Sequence, residues 1–147
     1  MVALDRSLPG AAHAEDRLRG DEMIWITTVR ADGQPQTSAV WFHWDGTDFL
    51  LVSQPMAAKL RNIATDPLVS LNLNGTGHGA DLVVVEGRAE VVPDYAAGPW
   101  PGRDRIDAYY AKYERALRDV LQSTAAEMAS AFTTALRITP TRWRVTP

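Results

Sequence analysis

At 147 residues and 16.2 kDa, the chain is one domain's worth of sequence, able to bury about two thirds of the surface its unfolded form exposes and too short for two independent cores. Apolar residues make up 46%, charged residues 22%, and the formal net charge is -3, which excludes a disordered polyelectrolyte and gives no sign of a basic nucleic-acid-binding module. With no cysteine there is no disulfide framework, thiolate nucleophile, iron–sulfur cluster or cysteine-rich zinc site, so the fold is expected to hold by packing.

The first ten residues, with Pro9 and Gly10, read as a loose lead-in, and Ala11 to Gly20 as a short helix closed by glycine. The early charges Asp5, Arg6, Glu15, Asp16, Arg17 and Arg19 leave no apolar centre for a secretory signal. No apolar tract is longer than four residues, Leu82 to Val85 for example being closed by Asp81 and Glu86, far short of the roughly 18 residues of a membrane span. The expectation is a soluble, cytoplasmic protein.

Ile24, Trp25, Ile26, Thr27, Thr28 and Val29 predict a strand over Met23 to Arg30, and Ala31-Asp32-Gly33-Gln34-Pro35 a turn. A second strand is expected over Gln36 to Trp44, then the turn Asp45-Gly46-Thr47 and a third strand, Asp48 to Ser53, the three forming an antiparallel meander. Ser53-Gln54-Pro55 predicts a helix start, because proline fits the first turn where its missing N–H is not needed. Met56, Leu60, Ile63 and Ala64 then mark the apolar face of a short helix that Asp66-Pro67 ends.

Leu68, Val69, Leu71 and Leu73 predict a fourth strand and Leu82 to Val92 a long fifth, joined as a hairpin by the glycine-rich loop between them. Pro93 to Gly102 reads as a surface connection. Arg103 to Leu121 has helical spacing, a second helix is expected from Thr124 to about Phe132, and Ala135 to Ile138 and Arg142 to Val145 read as short final strands. The pattern favours a small antiparallel barrel, mainly β, with helices packed outside it as a single domain over 1–147, the segment 103–132 being a helical insertion.

The informative stretch is Ser53 to Asn62. Only two of the 15 basic residues are lysines, and one, Lys59, falls in the first turns of the short helix with Arg61 close by. Free N–H groups at a helix start, the hydroxyl of Ser53 and a cation make a phosphate cradle, although solvated charges on an amphipathic helix give the same pattern. His13, His43 and His78 lack the short spacing of a zinc site, so no metal is expected. Gly75-Thr76-Gly77-His78-Gly79 joins two strands with no βαβ unit around it, which argues against a dinucleotide loop. The five tryptophans are read mainly as barrel filling and dimer contact. Alternation sets Trp41 on the opposite face from Val40 and Phe42.

The succession strand, turn, strand, Ser53, Lys59, Asn62, Pro67, Val69, Leu71 and Gly87 resembles the pyridoxamine-phosphate-oxidase-like split β-barrel family of flavin and deazaflavin proteins, over roughly Glu22 to Val92. A weaker echo covers Arg137 to Val145. The resemblance implies a homodimer with each ring coenzyme in a groove lined by both chains. Carried onto this sequence, ring support falls on the strand Thr37 to Phe42, including Thr37, Ser38, Val40, Trp41 and Phe42. The phosphate end falls on Ser53, Gln54, Met56, Ala58, Lys59 and Arg61, with Lys59 the direct contact, while His78 and Trp143 come from the partner chain. Relatives binding riboflavin phosphate (FMN) often carry further cations where this chain has Ala58 and Thr37.

The short chain, the Gly33-Gln34-Pro35-Gln36-Thr37-Ser38 lead into strand two and the helical insertion look more like the branch using coenzyme F420. That resemblance implies a reductase passing a hydride to an unsaturated or quinone-like small molecule, with Arg137, Arg142, Arg144 and Arg61 as candidates for the anionic tail and no catalytic base required. An FMN-dependent oxidoreductase and a non-enzymatic flavin or haem carrier on the same barrel are the alternatives.

Overall fold

The computed structural model describes residues 1–100 and 102–147; of the connection expected over Pro93 to Gly102, Pro101 lies outside the described residues. The elements are α1 (Ala11–Gly20), β1 (Ile24–Val29), β2 (Pro35–Val40), β3 (His43–Trp44), β4 (Phe49–Ser53), α2 (Ala58–Thr65), β5 (Leu68–Asn72), β6 (Leu82–Val92), α3 (Ile106–Lys112), α4 (Glu114–Asp119), α5 (Ala125–Ala131) and β7 (Thr134–Thr146). A 3-10 turn, Arg103–Arg105, leads into α3.

The strands form one antiparallel sheet in the order β2-β1-β5-β6-β7-β4-β3. β2 and β3 stand at opposite edges, yet only Trp41 and Phe42 separate them in sequence. Three virtual Cα bonds reach at most roughly 11 Å, so the two edges must come together and the sheet curls into a half-barrel consistent with a split barrel.

This topology corrects the expected meander. The stretch Gln36 to Trp44 is two strands, and β2 pairs with β1 while β3 pairs with β4. The chain breaks where Phe42 drops into the core, fully buried, and its backbone groups are taken by helix-borne side chains instead of a ladder partner.

Ile24, Ile26, Phe49, Leu71, Val85 and Ile138 fill the barrel side of the sheet. Leu50, Val52 and Ala135 on the opposite face pack against Tyr109, Tyr113 and Leu117 of the helical segment. β4 is therefore buried at every position, which explains its unbroken apolar run where a one-sided strand would alternate. Each fully buried large side chain contributes roughly 1.5–3 kcal/mol.

Three further expectations change. The helix expected over Arg103 to Leu121 divides into the 3-10 turn, α3 and α4, the break falling at Tyr113 (φ -104, ψ 6), which is anchored to Phe42. The two final strands are one 13-residue strand, because a register shift opposite Glu86 and Gly87 carries the ladder past Pro140. The lead-in is docked: Leu4 is buried, Val2 donates its N–H to the Pro140 carbonyl, and the Trp143 indole donates to the Val2 carbonyl.

Candidate functional site

The turn Gln54 to Ala57 carries the chain from β4 into α2. Pro55 and Met56 lie in this turn, and α2 begins at Ala58, later than the proline predicts. No side chain caps Ala57, so the positive end of the helix faces outward without a polar side chain of its own.

Lys59, in the first turn, is half-buried, and burial lowers its pKa. Among the described residues no carboxylate lies within 4 Å of it. An ammonium partly withdrawn from water with no acidic partner is poised to gain from an anion.

Lys59 lines two cavities. One, about 460 Å³, is bounded by the barrel residues Val40, Trp41, Val52 and Ser53 and by Tyr109, Leu121, Met128 and Phe132 of the helical segment. The other, about 270 Å³, is a polar niche of Thr28, Gln36, Thr37, Ser38 and Asn62. Asn62 shapes the niche by donating to the Thr28 hydroxyl and to Gln36 Oε1, each at 2.9 Å, while the Thr27 and Thr37 hydroxyls lie 2.7 Å apart. An apolar groove, one cation and a neutral niche suit a planar ring whose side chain carries an anion. A third cavity, about 410 Å³, beside Tyr110, Leu117 and Thr124, shares no residue with this junction.

Of the residues singled out from sequence, Val40, Trp41, Ser53, Gln54 and Lys59 line the groove, and Thr37, Ser38, Ala58 and Lys59 line the niche. Ser53 is buried and gives its proton to the Gln54 carbonyl, 3.0 Å away. Phe42 is a correction: its ring is fully buried in the barrel core, so it supports the groove from behind and does not face it. Met56 is 80% exposed, and Arg61 turns back to the Met56 carbonyl at 2.9 Å; neither lines the groove or the niche. His78 is exposed, and Trp143 packs against Trp44 and Phe49, so within one chain both stand apart from the groove. Arg137 is bonded to Asp48 and Arg144 to Glu86, which leaves them less available for a tail.

Sequence reasoning missed Met23, Tyr109, Leu121, Met128 and Phe132 on the groove, and Thr28 and Gln36 in the niche. Tyr109 falls within the segment of helical spacing, but nothing local says which surface it meets.

A family profile described as pyridoxamine 5'-phosphate oxidase matches residues 11–147. The chain belongs to this family. Among solved structures, one named F420 reductase is 26% identical, covers 88% of this chain and 94% of its own, and superposes with a TM-score of 0.63. HutZ, the haem storage protein of Vibrio cholerae, is 14% identical over 99% of this chain and 96% of its own, with a TM-score of 0.71. An FAD-binding protein of Mesorhizobium loti is 19% identical over 90% and 89%, with a TM-score of 0.63. At such identities the last two relationships are of fold. Among the described residues no cluster of three or more potential metal ligands occurs, and no helix is long and apolar enough to cross a membrane.

Proposed function

We propose that the protein is a homodimeric F420-dependent reductase that passes a hydride to an unsaturated or quinone-like small molecule. The observation that carries this reading is the single cation at the site, Lys59, set between an apolar groove and a neutral niche. At the phosphate itself, one ammonium matches the single charge of the phosphodiester in F420 better than the dianion of riboflavin phosphate, the carboxylates of the F420 tail being separate charges further from the ring. The 26% identity to a structure named F420 reductase supports the same choice.

In this reading Lys59 and the first turn of α2 hold the phosphate, and Thr37 and Ser38 offer hydroxyls in the niche. Val40, Trp41, Met128 and Phe132 line the groove and exclude water from one face of the ring. The chemistry that a deazaflavin supplies when bound is two-electron hydride transfer.

Dimerisation is supported by β2, an edge strand exposed from Pro35 to Ala39 with an unpaired outer edge, the kind of surface a partner chain covers. Pairing there would bring a second chain beside Thr37 and Ser38.

Titration of the same apo preparation with F420 and with riboflavin phosphate, followed by fluorescence, tests the assignment. Tighter binding of F420, with substrate-dependent reoxidation of its reduced form, is expected. Preference for riboflavin phosphate would move the protein to the flavin branch, and binding without turnover would make it a carrier.

A further inference from the structure

The link between β2 and β3 lies outside both strands, so Trp41 and Phe42 have no ladder hydrogen bonds to fix them. Their anchors come from the α3–α4 junction, about seventy residues along the chain. The Phe42 N–H donates to the Tyr113 hydroxyl at 2.8 Å. That hydroxyl has one proton to give, and its shorter carbonyl contact is with Glu22 at 2.7 Å, against 2.9 Å for Phe42. The Phe42 carbonyl is served by Lys112, whose Nζ lies 2.9 Å away and 3.8 Å from the centroid of the Phe42 ring. Both backbone groups of Phe42 are thus satisfied by side chains.

The Tyr113 ring lies parallel to the Trp41 indole, with centroids 4.2 Å apart and an interplanar angle of 3°. Among the described residues the indole N–H makes no hydrogen bond. Stacking and the clamped backbone are therefore what orient Trp41, which is half-buried and forms a wall of the groove.

We propose that Tyr113 and Lys112 are positioning residues for the coenzyme groove: they hold the Phe42 peptide and thereby fix the plane of Trp41 for a flat ring. The idea rests on the groove being the ring site for its binding consequence, though not for the fixing of Trp41 itself. A half-buried aromatic wall held in one orientation spares a ligand the cost of ordering it. Truncating the clamp should therefore weaken ring binding without touching Lys59.

The test uses full-length protein labelled with 5-fluorotryptophan, the Trp41 resonance being identified with Trp41→Phe. Tyr113→Phe keeps the ring and loses the hydroxyl, and Lys112→Met removes the other donor, with Lys112→Arg as the rescuing variant. The Trp41 fluorine line should shift or broaden in both single variants and recover in Lys112→Arg. The F420 dissociation constant should rise about five- to tenfold in Tyr113→Phe, the scale of one lost hydrogen bond. This rise should vanish in a Trp41→Leu background. An unmoved Trp41 resonance, or an undiminished effect of Tyr113→Phe without Trp41, overturns the proposal. Failure of the unaltered protein to bind F420 counts against the proposed coenzyme, and the fluorine spectra still decide whether the clamp positions Trp41.

Discussion

The side-chain amide of Asn62 on α2 donates to the hydroxyl of Thr28 on β1 at 2.9 Å, with both residues buried. A second bond to Gln36 Oε1 ties β2 to the same point, so one amide holds the helix that carries Lys59 against the exposed edge of the sheet. Asn62→Ala would strand the Thr28 hydroxyl at 2% exposure. The expected loss is about 1–3 kcal/mol of unfolding free energy, the cost of leaving such a group unpaired, as read by urea denaturation. A change below about 0.5 kcal/mol would mean that water replaces the amide.

Lys59 has the opposite character, contributing to binding while costing the fold. Burial lowers its pKa, and among the described residues no carboxylate pairs with it. Lys59→Met should weaken F420 binding by about 1.5–3 kcal/mol, the range for a charged hydrogen bond, while leaving the melting temperature unchanged or raised. Calorimetric titration beside a thermal melt separates the two effects, and equal affinity in the variant would remove Lys59 from the site.

Burial holds the pKa of Lys112 at about 8, below the ordinary 10.5, against the attraction of Asp21 and Glu22. The same ammonium helps hold down the pKa of His43, behind the larger effect of that ring's own burial. Between about pH 8 and 10.5 the unfolded chain keeps the Lys112 proton and the folded chain has lost it. Stability attributable to this group therefore increases with pH across that window and is lost as pH falls back through about 8. Above pH 10 Tyr109, Tyr110 and Tyr113, whose pKa values burial raises, keep their protons when folded and turn the trend downward. Denaturation at half-unit pH steps should show the rise, and Lys112→Met should flatten it.

Gly87 sits at the register shift where β6 meets the Pro140 region of β7. A Cβ there would lie 2.8 Å from Ile138 Cγ2 and 3.0 Å from the Thr139 carbonyl oxygen, and the second contact is backbone that cannot step aside. Gly87→Ala should cost about 1–3 kcal/mol, the usual penalty for overpacking, seen as a lower urea midpoint. Its effect on coenzyme affinity should be small, since Gly87 lines neither cavity at Lys59.

Periodicity and turn residues by themselves located α1, β1, the β5–β6 hairpin, α5 and the β4–α2 junction. They also set Trp41 opposite Val40 and Phe42, as the two separate core clusters confirm. The lysine at that junction was legible because an isolated cation at a helix start carries its chemistry in one short segment. The tertiary structure alone decided that the second strand is cut at Trp41 and Phe42, that β2 and β3 stand at opposite edges, and that Tyr109, Leu121, Met128 and Phe132 complete the groove. An apolar pattern states which face of an element avoids water but not which distant surface covers it, and that choice depends on pairings between segments far apart in the chain.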